Sequence, residues 1–104
     1  MYCPVCRAEI KEVIVCDIVR IGDEFHYVEI VSPVLFSEEF DLEKGKIFSY
    51  ELFKAAVAKR YLCEPEAVQS KYIDGLEVPK EVYEKLDKRE KNLGCRCPVC
   101  EDFI

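Results

Sequence analysis

Long apolar runs are missing from this sequence, whose hydrophobic stretches extend over only a few residues and fall far short of a membrane span. It also lacks a phosphate-binding glycine loop, paired carboxylates in a catalytic context and a supported nucleophile triad. His26 is the only histidine. These absences disfavour an integral membrane protein and predict a protein that is not an enzyme.

A secretory leader is likewise not expected, because a cysteine motif already begins at residue 3. The seven cysteines are an odd number, whereas a secreted disulfide framework uses pairs. We therefore expect a cytoplasmic protein whose thiols stay reduced or bind metal. Side-chain amides are confined to Asn92 and Gln69, while 35% of the residues are charged, a composition typical of hyperthermophile proteins.

Positive charge is not in excess, since the net charge is −6, and this disfavours general binding to nucleic acid or to anionic membranes. The charge is nevertheless uneven. Residues 1–52 hold 5 Lys/Arg and 11 Asp/Glu, whereas residues 53–104 hold 10 of each. A basic face on the second half is therefore compatible with the sequence, although acidic residues interleave with the basic ones.

A β-hairpin is predicted near the N-terminus, where two segments rich in Val, Ile, Phe and Tyr flank the turn pair Gly22-Asp23. The strands should cover about residues 11–21 and 24–32, and Pro33 should end the second. Apolar residues occupy both faces of the first strand, so we expect other parts of the chain to cover both of its faces.

Helical spacing of apolar residues follows in the second half of the chain. It predicts a helix over residues 49–63, a short helix that begins at Pro65, and a longer helix over residues 79–93 that Gly94 ends. Ser37 is a candidate cap for a further helical turn.

The tetrapeptide C-P-V-C occurs twice, at residues 3–6 and 97–100, within a repeated C-P-V-C-x-x-x-I pattern. Two cysteines separated by two residues can turn both sulfurs toward one point, and the proline pre-shapes that turn. Two such turns supply four thiolates, which is the tetrahedral set of a structural zinc site. Arg7, Lys11 and Arg96 are placed to offset the negative charge of such a site. The predicted metal ligands are Cys3, Cys6, Cys97 and Cys100.

These paired C-P-x-C turns resemble the knuckles of zinc ribbons and of rubredoxins. The resemblance covers residues 2–10 and 96–104, and it implies metal ligation by the four cysteines, with iron as the alternative to zinc. Two features differ from those proteins. Arg7 and Glu101 stand where such knuckles usually have glycine, and 90 residues (7–96) separate the two turns.

We therefore predict a single α+β zinc-binding domain over residues 1–104. An antiparallel β-hairpin (about residues 11–32) packs with two to three helices (about residues 49–93), and the four-cysteine site joins the N- and C-termini. The predicted function is a non-catalytic interaction module with a protein partner, and nucleic acid is the less favoured partner. A rubredoxin-like iron carrier is the alternative, and a C-x-x-C thiol oxidoreductase ranks third. Pairing of knuckles between chains, which would make a homodimer, is also compatible with the sequence.

The remaining cysteines and the histidine receive structural interpretations. Cys95 is interpreted as a spare thiol rather than an exchangeable ligand, and Cys16 and Cys63 as small buried hydrophobes. In the predicted hairpin, Asp17 and His26 share one sheet face, so we expect Asp17 to satisfy His26 rather than to form part of a nucleophile site.

Overall fold

The computed structural model describes residues 2–34 and 47–104, and the helical turn predicted at Ser37 lies outside these ranges. An antiparallel sheet and three α-helices confirm the α+β class. None of the helices in the described ranges has the length and apolar character of a membrane span. The elements in chain order are β1 (Glu12–Ile21), β2 (Glu24–Pro33), α1 (Tyr50–Tyr61), a 3-10 turn (Pro65–Ala67), β3 (Val68–Ser70), α2 (Lys71–Asp74), α3 (Lys80–Glu84) and β4 (Gly94–Arg96).

Strand β1 is the centre of the sheet. Along one edge it pairs with β2 over its full length, and Gly22-Asp23 forms the predicted two-residue turn. The other edge is divided, since β4 pairs with residues 14–16 and β3 pairs with residues 19–21, both antiparallel. The four boundaries predicted for the two strands of the hairpin are confirmed to within one residue.

The main hydrophobic core lies between one face of this sheet and α1. Phe53 and Val57 lie one turn apart on α1 and are fully buried against the sheet. Ser49 begins the helix as its N-cap, with its hydroxyl accepting from the Leu52 amide at 3.2 Å. The sheet residues of this core are Val13, Val15, Val19, Val28 and Ile30.

The opposite face of β1 is also buried, as its apolar pattern predicted. Cys16 and Ile18, which point to this face, have almost no exposed surface. Glu29 of β2 pairs with Cys16 and forms ion pairs with Arg89 at 3.4 Å and Arg96 at 3.5 Å. These two arginines bring the C-terminal part of the chain over this face.

The predicted long helix over residues 79–93 is wrong, because α3 ends at Glu84. Asp87 and Glu90 explain the interruption. The Asp87 amide donates to Glu90 Oε1 at 3.1 Å, and the Glu90 amide donates to Asp87 Oδ1 at 2.9 Å. This reciprocal pair is a capping box, which marks the start of a helical turn and so breaks the preceding one. Gly94, predicted as a helix stop, instead begins β4.

The predicted short helix from Pro65 is also wrong in part, since it is divided by β3. Val68 and Ser70 are fully buried where they pair with the edge of β1, so sheet pairing overrides helix formation there. Helix α2 follows, with the Ser70 hydroxyl accepting from the Ile73 amide at 3.0 Å. Gly75, at φ 71°, ends it with a left-handed backbone that glycine adopts at little cost.

Asp17 is a fully buried carboxyl group that joins β3 and α2 to β1. Its Oδ1 accepts from the amides of Ile18 at 2.7 Å and Tyr72 at 3.0 Å, and its Oδ2 accepts from the Ser70 hydroxyl. Burial raises the pKa of this carboxyl group, although these three donors oppose the effect.

His26 does not pair with Asp17, so the predicted contact between them is wrong. The His26 Nε2 atom lies 3.4 Å from a carboxylate oxygen of Glu24. Its ring stacks on Tyr61 of α1, with centroids 4.4 Å apart. The donors of β3 and α2 occupy the Asp17 carboxylate instead, and those donors come from a part of the chain that the hairpin pattern does not include.

Candidate metal centre

The two C-P-V-C motifs form turns with the same backbone pattern, which we call knuckle 1 (residues 2–10) and knuckle 2 (residues 96–104). In each knuckle the amide of the first cysteine donates to the carbonyl five residues later, at 2.9 Å in both. The amide that follows the second cysteine donates back to the first cysteine, at 2.9 and 2.8 Å. Antiparallel bridges close both turns at equivalent positions, Tyr2 with Glu9 and Arg96 with Phe103.

Backbone amides of the knuckles point at the first sulfur of each pair. The amides of Val5 and Cys6 lie 3.4 Å from Cys3 Sγ, and the Val99 amide lies 3.3 Å from Cys97 Sγ. Burial raises the pKa of the Cys3 thiol, but these amides and the neighbouring thiols outweigh it and lower that pKa to about 6. The turn of knuckle 1 therefore stabilises Cys3 as the thiolate that binds metal, whereas burial and neighbouring thiols raise the pKa of Cys6 and of Cys100.

The residue after the second cysteine has a left-handed backbone in both knuckles. Arg7 and Glu101 each have φ 64°, a region that glycine occupies at the least cost. The glycine that is usual in the knuckles these turns resemble therefore has a structural reason. This chain adopts the same backbone conformation with a side chain present.

Replacing Glu101 by glycine should consequently stabilise the protein. Relief of the left-handed strain contributes about 1–2 kcal/mol, and the added freedom of the unfolded chain offsets about 0.5–1 kcal/mol of it. We expect a net gain of about 0.5–1 kcal/mol in the free energy of unfolding measured in urea. Glu101→Ala is the matched control, since it removes the charge but keeps Cβ. An equal gain in both variants would assign the effect to charge rather than to backbone strain.

The four predicted cysteines of this single chain converge on one point. Cys3 Sγ lies 3.8 Å from Cys100 Sγ, and Cys6 Sγ lies 3.8 Å from Cys97 Sγ. All four sulfurs lie within 4.8 Å of one another. A tetrahedron with metal–sulfur bonds of about 2.3 Å has sulfurs about 3.8 Å apart, whereas a disulfide requires about 2.05 Å. The cluster therefore has the dimensions of a tetrathiolate metal site.

One side of this cluster faces the core and the other faces solvent. Cys3 and Cys97 are fully buried, Cys100 is half-buried and Cys6 is exposed. Cys97 follows β4 directly, so the pairing of β4 with β1 fixes its position. Knuckle 1 precedes the start of β1 and is anchored in the core by the buried side chain of Ile10.

Cys95 lies outside the cluster, which agrees with its interpretation as a spare thiol. It pairs with Val15, belongs to the main core, and has a pKa raised to about 12 because it is buried. Cys16 is buried, as predicted, whereas Cys63, also predicted to be buried, is only half-buried against the core.

Arg96, expected to offset the charge of the metal site, is buried and ion-paired with Glu29 instead. Sequence reasoning missed this group, in which Tyr27 donates to Glu29 at 2.9 Å beside the two arginines. Side chains alternate between the two faces of β2, so Tyr27 and Glu29 lie on the same face. This spacing could have identified the pair from the sequence. Arg89 follows α3 within the range that the sequence predicted as helix, and Arg96 lies in β4, a strand that the sequence did not predict.

Comparison with protein-family models, curated proteins and solved structures finds no match to this chain.

Proposed function

We propose that this is a small non-catalytic zinc protein, in which one zinc ion fastens the two knuckles and thereby supports an interaction surface. The observation that carries the proposal is the convergence of four sulfurs, two from each knuckle, at tetrahedral spacing. Four thiolates fill the coordination sphere of zinc and leave no open position for a substrate or water. Such a site supplies folding energy rather than catalysis.

The metal would join parts of the chain that are distant in sequence. In the loop-closure model, a crosslink around about 90 residues contributes on the order of 4–5 kcal/mol. This is a large part of the total stability of a domain, about 5–15 kcal/mol. The zinc would also hold β4 against β1, because Cys97 follows β4 without an intervening residue.

A protein partner is favoured over nucleic acid because several basic side chains of the second half are already paired with carboxylates. Lys54 pairs with Asp74 at 3.1 Å, and Arg89 and Arg96 pair with Glu29. Cations already paired with carboxylates contribute less to phosphate binding.

The alternative function is electron transfer by an iron ion on the same thiolates. The exposure of Cys6 favours this reading, because an electron carrier needs its cluster near the surface. Amide donors to sulfur, found in both knuckles, also tune the potential of iron–thiolate centres.

Two measurements on protein purified without chelator test these proposals: elemental analysis and the visible absorption spectrum. We expect one zinc per chain in a colourless sample. One iron per chain with visible thiolate absorption would replace the zinc proposal by electron transfer. A folded protein without stoichiometric metal would overturn both and return the C-x-x-C pairs to consideration as redox groups.

A further inference from the structure

The two knuckles expose an apolar surface beside the metal centre, which we call the knuckle face. Cys6 and Cys100 lie at the outer side of the cluster, each preceded by a valine, so these two valines border the same edge of the site. The apolar side chains of this face are unusually exposed to solvent. Its apolar members and their exposed fractions are Tyr2 at 67%, Val5 at 52% and Val99 at 63%.

Opposite charges stand at equivalent positions on this face. Arg7 of knuckle 1 and Glu101 of knuckle 2 are both exposed and share the same place and the same φ of 64° in their turns. The knuckles share one backbone pattern, and exchanging them exchanges two equal sulfur–sulfur separations of 3.8 Å. This equivalence places Arg7 and Glu101 on opposite sides of the cluster, so the face is basic on one side and acidic on the other.

A surface depression lies on the basic side. It has a volume of about 420 Å³ and is lined by Tyr2, Cys3, Pro4 and Arg7. An apolar side chain and a carboxylate would suit this lining, because it combines an aromatic ring and a proline with a guanidinium group. Knuckle 2 carries these two groups at its exposed tip, in Val99 and Glu101.

We propose that the knuckle face binds a second copy of this chain and forms a two-fold dimer. A two-fold axis in the plane of the face, perpendicular to the line from Arg7 to Glu101, places Arg7 opposite Glu101 of the partner subunit, and the same contact forms twice. Val99 and Glu101 of each copy then enter the depression of the other. The inference rests on the proposed function, because the metal holds the two knuckles side by side.

The small size of the face sets the strength of this dimer. Stable interfaces bury more than about 1,000 Å² in total, and three apolar side chains per copy are few for an area of that size. The dimer should therefore be reversible, with a dissociation constant in the micromolar range of about 1–100 μM.

Sedimentation equilibrium of the metal-loaded protein tests the proposal, with metal content measured on the same samples. Arg7→Glu and Glu101→Arg should each weaken dimerisation about ten-fold or more, since each places two like-charge contacts in the dimer. The double variant R7E/E101R should restore the affinity of the original protein. Both positions accept either residue, because each knuckle already carries the other's residue at the same φ. Val31→Glu, on an exposed residue of β2 outside the face, is the control and should leave the affinity unchanged.

A metal-loaded protein that stays monomeric at millimolar concentration would overturn the dimer while leaving the zinc proposal intact. A dimer that is insensitive to both single variants, or that the double variant does not restore, would also overturn it. A protein that contains no metal would instead overturn the proposed function, and with it the basis of the dimer.

Discussion

Replacing Cys97 by serine is expected to abolish stoichiometric metal binding and to lower the melting temperature by about 20 °C or more. Cys97 is fully buried, and its sulfur lies 3.8 Å from that of Cys6. Serine supplies a hydroxyl group in place of the thiolate that zinc binds. Loss of the clamp removes on the order of 4–5 kcal/mol, and each kcal/mol corresponds to about 4–8 °C in a domain of this size.

Cys63→Ser is the matched control for this experiment. Cys63 is half-buried against the core and lies outside the cluster, so its replacement should cost less than about 1 kcal/mol. Melting curves should be measured with metal content, before and after addition of excess chelator. Chelator should bring the original protein to the melting temperature of Cys97→Ser and should not change that of the variant. Equal melting temperatures for the original protein, the chelated protein and Cys97→Ser would show that metal does not fasten the fold.

Replacing Asp17 by alanine should lower the free energy of unfolding by about 3 kcal/mol or more, because buried donors that lose their acceptor each cost about 1–3 kcal/mol. The carboxylate accepts from the amides of Ile18 and Tyr72 and from the Ser70 hydroxyl. Asp17→Asn keeps one acceptor oxygen for the two amides and should lose about half as much. The exposed Glu12 of the same strand provides a control, and Glu12→Ala should change stability by less than about 0.5 kcal/mol. Urea unfolding at pH 7 measures all three, and equal losses for Asp17→Ala and Glu12→Ala would contradict the buried network.

The Asp17 carboxyl group also makes the free energy of unfolding depend on pH, and the raised pKa fixes the direction of that dependence. Burial raises the pKa of Asp17 in the folded protein above its unfolded value of about 3.9. Between these two values the folded state binds more protons than the unfolded state, so the contribution of Asp17 to stability increases as the pH falls. The free energy of unfolding of the original protein should therefore rise relative to that of Asp17→Asn from pH 7 to pH 4. Thiolate protonation affects both proteins alike and cancels in the difference. A difference that stays constant or falls would contradict the raised pKa.

Local sequence patterns predicted the parts of this fold that depend on local interactions. The hairpin with its Gly22-Asp23 turn, the helix that Ser49 caps and the convergence of the twin C-P-V-C motifs all follow from neighbouring residues or from a repeated motif. Pairing with β1 created β3 and β4, each only three residues long, and no periodic pattern identifies strands of that length. The capping box of Asp87 and Glu90 was readable, but the apolar spacing around it suggested one continuous helix.

The surroundings of the site were less predictable than its cysteines. Motif spacing identifies which residues can bind a metal, whereas the position of a charged side chain depends on contacts made across the fold. Arg96 illustrates this difference, because its neighbour Cys97 joins the cluster while Arg96 itself turns to Glu29 on the opposite face. The alternation of side chains along a strand accounts for that separation.

The register of β4 against β1 is weakly defined by the backbone alone, because a three-residue strand forms few hydrogen bonds. A shift of one residue would reverse the direction of every side chain in β4, bringing Arg96 toward the core and turning Cys95 away from it. The same shift would move Cys97 by about 3.4 Å along the strand, a distance that exceeds a metal–sulfur bond of about 2.3 Å. A metal held by four thiolates accepts one alignment only. Metal binding would therefore depend on the register of β4. The four cysteines could bind one ion together only when β4 is correctly paired with β1.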